Sequence, residues 1–463
     1  MRYESYKSSG VAWLGEIPEH WEVKPLRSVL QARNEKNDPI KTNQILSLSI
    51  AKGVTLYSDK GRGGNKAKSD LTAYKLAYPD DIVMNSMNVI VGAVGLSKYF
   101  GAISPVYYAL RVRSQSQNIH FYDKIFSNRY FQNYLSIFGK GILIKESSSG
   151  KLNTIRMKIS MDDLKKVPLP LPPLEEQEAI IRYLNFYEHK INKAIHVKKK
   201  LIATLSEQKQ AIIAHAVTKG VDLHVKMKKS GISWLGEIPE HWEVKKLRTI
   251  LKPIAVRNKP DLPLLSVVRE KGIIVRDTEN KEENHNFIPE DLSNYKVVKN
   301  GQFVMNKMKA WQGSYGVSSY DGIVSPAYYV FDLKEVSSDF FHKALRSKVY
   351  VPFFTHASDG VRIGQWDLSQ SRMKEIPFWI PSIEEQKVIV EFIEQETVTI
   401  DKAIELSKKE IELLQEYKTR LIADVVTGAV DVRKEAQNLP EVEEDSIVFE
   451  DDVFEAQEEG GDE

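Results

Sequence analysis

Proteins that recognise nucleic acid do so largely with Lys and Arg, which meet phosphates and guanine edges, and with Asn, Gln, Ser and Thr, which hydrogen-bond base edges. The sequence gathers such residues beside glycine in a few places. One is the run KGRGGNKAK, with Lys60, Arg62, Asn65, Lys66 and Lys68. Another surrounds Gly150 and holds Ser147, Ser148, Ser149, Lys151, Asn153 and Arg156. Lys307 and Lys309 form a third group, and Arg362 with Gln365, just past Asp359-Gly360, a fourth. All are expected on loops. Each position can equally be an ordinary exposed loop residue, and the Ser-Gly-Lys cluster is the favoured candidate.

Catalytic chemistry finds no matching pattern. The chain has no cysteine, which excludes disulfides, thiolate metal sites and cysteine nucleophiles. Its ten histidines show no His-Glu-x-x-His spacing, so no metal site is expected. Gly61 to Lys66 reads GRGGNK but lacks the Gly-Lys-Ser/Thr ending that a phosphate loop needs. There is no Asn-Pro-Pro-aromatic segment of the kind that holds a target adenine, and no strand-linked glycine fingerprint for a cofactor. No bound cofactor is expected. A methyltransferase or nuclease acting by itself stays open as an alternative, as does a coiled-coil scaffold whose ends bind protein.

The candidate loops sit inside a chain that is written twice. Ser9 to Arg27 reads SGVAWLGEIPEHWEVKPLR and Ser230 to Arg248 reads SGISWLGEIPEHWEVKKLR, identical at 16 of 19 positions at an offset of 221. Met84, Asn85, Gly92, Ser97, Pro105, Tyr107 and Tyr108 recur at the same offset as Met305, Asn306, Gly313, Ser318, Pro326, Tyr328 and Tyr329. Farther on the offset becomes 209, so that Glu175, Glu176 and Gln177 match Glu384, Glu385 and Gln386. A period this long signals duplicated structural units.

Each copy opens with a glycine-punctuated mixed region. Ile45 to Ile50, Asp81 to Met84 and Val106 to Val112 have strand character, while Tyr122 to Phe138 and Asp339 to Phe354 read as helices. The repeated Trp13, His20, Trp21 and Trp234, His241, Trp242 are read as scaffold anchors, since aromatics in a proline-containing apolar segment pack on a core. The repeated Tyr107-Tyr108 and Tyr328-Tyr329 pairs are read as strand packing, with base stacking as the lesser option.

Next come PLPLPPLEEQ and PFWIPSIEEQ, where prolines close an extended segment and glutamates favour a helix start. Leu184, Tyr187, Ile191, Ala194, Leu201, Leu205 and Ile212 then recur at steps near three, four and seven, as do Ile393, Ile400, Ile404, Ile411, Leu414, Leu421 and Val425. Each seam needs a partner. Two such helices of about 45 residues would reach on the order of 65 Å. Pairing with one another is favoured over packing on their own globular regions.

The formal charge of +2 hides an asymmetry. Arg433 to Glu463 holds 13 acidic and 2 basic residues, a balance of −11, which leaves +13 on the rest. That body fits a polyanion partner, and the tail is expected to be disordered and solubilising. The first ten residues lack a secretory pattern and no apolar stretch approaches the ~20 residues that span a bilayer, so a soluble cytoplasmic protein without a membrane partner is expected.

The twice-written WLGEIPEHW, followed in each copy by LPPLEEQ or IPSIEEQ, resembles the specificity subunits of type I restriction-modification systems, over about Ser9 to Val432. The resemblance implies an α+β fold: two pseudo-twofold-related mixed α/β target recognition domains joined by two long antiparallel coiled-coil helices, with a disordered acidic C-terminal tail. The expected bounds are 1–171 and 221–381 for the recognition domains, 172–220 and 382–428 for the helices, and 433–463 for the tail. It implies double-stranded DNA as the ligand and a non-catalytic role. Two modification (methyltransferase) subunits and ATP-dependent restriction subunits would be partners, using S-adenosylmethionine, ATP and Mg. Readers spaced near one DNA turn, about 34 Å, would meet the same groove. Lys60 to Lys68 corresponds to TENKEENHN around Thr278 to Asn286, so the two half-sites should differ.

Overall fold

Extended segments form where apolar β-branched and aromatic residues alternate between glycine and proline breaks. The computed structural model describes residues 2–50, 52–59, 67–87, 92–141, 145–146, 152–153, 158–232, 235–269, 271–276, 288–289, 291–362 and 365–442. In the first domain β1 (Leu30–Arg33), β2 (Ile82–Asn85), β3 (Val94–Leu96) and β4 (Tyr107–Val112) make an antiparallel sheet in the order β1-β4-β2-β3. Its register sets Leu110 opposite Ile82 on one side and Ala32 on the other. Leu110 and Ile82 are fully buried.

Helices α1 (Ile119–Ser127) and α2 (Arg129–Leu135) carry Phe121, Tyr122, Ile125, Phe126, Phe131 and Leu135 into the same core. The single helix expected over Tyr122 to Phe138 is thus two. Asn128 is extended between them and its side chain accepts the Tyr130 N–H at 2.8 Å, so it ends one helix and caps the next. A short hairpin of β5 (Lys145–Glu146) and β6 (Leu152–Asn153) follows. β7 (Pro168–Leu171) pairs with Glu22–Pro25, tolerating its prolines in a two-stranded ribbon, and leads into the 46-residue helix α3 (Leu174–Lys219).

The second domain repeats this order. β8 (Leu251–Ile254), β9 (Phe303–Asn306), β10 (Tyr315–Val317) and β11 (Tyr328–Leu333) form a sheet ordered β8-β11-β9-β10. The helix expected over Asp339 to Phe354 is again two, α4 (Ser338–Arg346) and α5 (Val351–His356), because Ser347 is extended and Pro352 restarts the helix in its first turn. A hairpin of β12 (Ser358–Arg362) and β13 (Gln365–Leu368) follows. Then β14 (Pro377–Ile380) pairs with Glu243–Lys246 and leads into α6 (Ile383–Val426).

The repeated motifs act as a weld between each domain and its helix. Glu176 accepts His20 Nε2 at 2.8 Å, and Glu385 accepts His241 Nε2 at 2.8 Å. Gln177 Oε1 accepts the Asn118 N–H and Gln386 Oε1 accepts the Ser337 N–H, each at 2.8 Å, so each Gln grips the residue capping α1 or α4. Trp21 and Trp242 are buried, as read from the sequence, and Trp13 is half-buried against Phe131. Trp234 lies outside the described residues.

Met1–Lys199 with Lys409–Glu463 forms one compact unit and Lys200–Lys408 the other, so each unit contains part of both long helices. In the first, Ile191 and Ile195 of α3 share a core with Leu421, Ile422 and Val425 of α6. Lys418 Nζ donates to Asn192 at 3.1 Å and Lys198 pairs with Glu410 at 2.6 Å, an antiparallel order. In the second, Lys209 pairs with Asp401 at 2.5 Å, and Ile213, Ala216 and Val217 share a core with Ile389 and Ile393.

The seams differ from the expected ones in detail. Leu201 is 41 % exposed, while Ile202 is half-buried, and α6 buries Thr397 and Ser407 between its apolar positions. After α6, residues 427–442 return to the first domain. Gly428, at φ +77°, lies so close to Pro18 that a Cβ would come within 2.5 Å of its Cδ. Val432 and Ala436 are buried in the first core. The stretch 443–463, expected to be disordered, lies outside the described residues.

Candidate nucleic-acid interface

In both domains one backbone bond joins the turn after the second sheet strand to the chain leaving the hairpin. The Ile159 N–H donates to the Ser86 carbonyl at 3.0 Å, and the Leu368 N–H donates to the Lys307 carbonyl at 3.0 Å. At offsets of 221 and 209 these are the same bond. Each domain therefore ties a turn to a hairpin, and polar residues of the kinds found there can hydrogen-bond base edges in a groove.

The second domain has the fuller described feature. Lys307 and Lys309 occupy the turn after β9, and Arg362 and Gln365 face each other in register where β12 meets β13. Pairing shifts between Asp359 and Arg362, the register irregularity of a β-bulge. Lys307 Nζ pairs with Asp367 at 3.1 Å and Asp359 pairs with Arg372, so carboxylates temper the positive charge. All four second-domain candidates thus lie on the connected turn and hairpin.

The first domain is described less fully. Asn153 lies in β6, paired in register with Lys145. Lys68 is exposed and its backbone N–H donates to the Tyr74 hydroxyl at 3.2 Å. Lys60, Arg62, Asn65, Lys66, Ser147, Ser148, Ser149, Lys151 and Arg156 lie outside the described residues, as do Thr278 to Asn286.

The paired tyrosines belong to the scaffold. Lys75 Nζ donates to the Tyr107 carbonyl at 2.8 Å and lies 5.2 Å from the Tyr108 ring, and Lys296 repeats this with Tyr328 at 2.5 Å and Tyr329 at 5.8 Å. Burial lowers both lysine pKa values. Both lysines escaped the sequence reading, although they recur at the 221 offset. Trp311 and Trp366 also escaped it: their rings lie tilted against one another with centroids 5.1 Å apart. Only their residue type pointed to them, since no repeat marks them.

A family model for the type I restriction modification DNA specificity domain matches twice, at residues 18–201 and 235–416. The chain belongs to this family. Among relatives of the specificity family, a type I restriction enzyme MjaX specificity subunit of Methanocaldococcus jannaschii is 24 % identical over 465 residues, 93 % of this chain and 97 % of that one. The MjaVIII specificity subunit of the same organism is 28 % identical over 286 residues, 58 % of this chain and 63 % of that one. A solved chain described in work on assembly and conformational transition of the type I R-M system has a TM-score of 0.60 at 14 % identity, covering 89 % of this chain and 98 % of its own. That likeness concerns the fold. Among the described residues no cluster of His, Asp or Glu could hold a metal ion, and no helix is long and apolar enough to cross a membrane.

Proposed function

We propose that this specificity-family chain is the non-catalytic DNA-reading subunit of a type I restriction-modification complex. It recognises an asymmetric target in two parts and directs methylation or cleavage by partner subunits. The observation that carries this reading is the equivalence of the two turn-and-hairpin features combined with their different residues. Ser86 stands where Lys307 does and Arg156 where Gln365 does. One scaffold with unlike groups at matching positions suits two unlike half-sites.

Lys60, Arg62, Asn65, Lys66, Lys68, Ser147, Ser148, Ser149, Lys151, Asn153 and Arg156 are proposed readers of the first half-site. Lys307, Lys309, Arg362 and Gln365 are proposed readers of the second. An unread gap separates the two half-sites. Two modification subunits using S-adenosylmethionine carry out the methyl transfer, and restriction subunits using ATP and Mg carry out the cleavage.

Fluorescence anisotropy with a target duplex and a scrambled one, across a range of salt, tests the reading. The chain is measured alone and with its modification subunits. Preference for the target with a steep salt slope is expected from the complex. Methyl transfer by the isolated chain would support the enzyme alternative instead, and no DNA binding even by the complex would leave the scaffold.

A further inference from the structure

The second domain has an aromatic contact that the first does not repeat. Trp311 sits in the helical turn Ala310–Gln312 directly after Lys307 and Lys309, and Trp366 sits in β13 directly after Gln365. The rings lie 5.1 Å apart between centroids at an interplanar angle of 34°. The matching first-domain positions, 90 and 157, are Ile and Met.

The surroundings make this contact a bridge. Thr355 Oγ1, from α5, donates to the Trp311 carbonyl at 3.1 Å, which ties the helical turn to the domain's helical layer. Gly313, at φ +92°, turns the chain sharply after Trp311 and leads it into β10. Among the described residues the buried Trp311 indole N–H meets no acceptor, so the ring is held by packing. Across from it, the second strand of the hairpin joins the domain through the Leu368 to Lys307 backbone bond, the Lys307 to Asp367 ion pair and Trp366. The ion pair is half in water and screened by salt, which leaves the backbone bond and the tilted ring contact as the salt-independent members.

We propose that Trp311 and Trp366 form a clasp that positions the second domain's hairpin against the turn, so that Lys307, Lys309, Arg362 and Gln365 act as one reading surface. This rests on the DNA-reading role above. The tryptophans are positioning residues and touch no base in this account. Discrimination at the second half-site depends on the clasp, and discrimination at the first does not.

The test uses the full complex with its modification subunits, once its methylated motif is known and domain exchange has assigned the half-sites. Affinity is measured for the target, for a duplex scrambled in the first half-site and for one scrambled in the second. Trp366→Ala should reduce discrimination at the second half-site about fivefold, the loss expected for one aromatic pair, and leave the first within about twofold. Trp311→Ala should do the same, and Trp366→Phe should restore most of the loss. Unchanged discrimination in both alanine variants overturns the clasp. So does an equal loss at both half-sites accompanied by a lowered melting temperature, which marks general destabilisation. If the wild-type complex binds all three duplexes alike, the DNA-reading role fails and the clasp falls with it.

Discussion

At the residue scale, the repeated letters explain themselves as partners. Glu176 and Glu385 looked like helix-start charges in the sequence, and their second task, accepting from His20 and His241, required the fold to bring positions more than 140 apart in sequence together. His342 is the second domain's clearest titratable group. Its pKa is lowered to about 4, first by burial and then by Arg346 and Lys343, while Nδ1 accepts the Val317 N–H at 3.1 Å. An unfolded histidine takes its proton near pH 6.5, so between that pH and about 4 the unfolded chain binds more protons. Stability contributed by neutral His342 is therefore present above about pH 6.5 and is lost as pH falls toward 4. The loss is on the order of 2 to 3 kcal/mol. Urea midpoints measured from pH 7 to 4 should fall less steeply for His342→Asn, which keeps an acceptor without the charge. Parallel profiles would contradict this.

At the scale of elements, the strands, the proline-closed ribbons and both long helices were legible because each carries its own periodicity. Their breaks were less so. Asn128 and Ser347 divide what reads as continuous helix, since a cap and an interior polar residue look alike in a window of apolar periodicity. Leu201 was placed on a seam that Ile202 serves better, because neighbouring residues differ by only about 100° around a helix. The candidate site was legible as polar loops, but the bond joining turn to hairpin was not, since backbone pairing leaves no residue signature. The chain after α6 gives a sharp expectation. Deleting 428–463 uncovers the core face that Val432 and Ala436 bury and removes the Asp431–Arg433 pair, which should destabilise the first domain by about 2 to 4 kcal/mol. Deleting 443–463 alone should leave its urea midpoint unchanged. Equal effects of the two deletions would show that the 428–442 segment contributes nothing.

At the scale of the molecule, duplication explains why unlike readers share one frame. Exchanging 1–171 for the corresponding domain of another family member should change one half-site of the modified motif and leave the other intact. The exchange must leave Gly428 in place wherever the incoming domain carries a proline at 18 and a tryptophan at 21, because a Cβ at 428 would strike both. The central claim, that one chain reads two different short sequences at a fixed distance, is tested most directly by methylome sequencing of cells carrying this chain with its modification subunits. A single methylated motif made of two unlike specified segments around a constant unspecified gap is expected. A contiguous motif, or two identical halves, would contradict it.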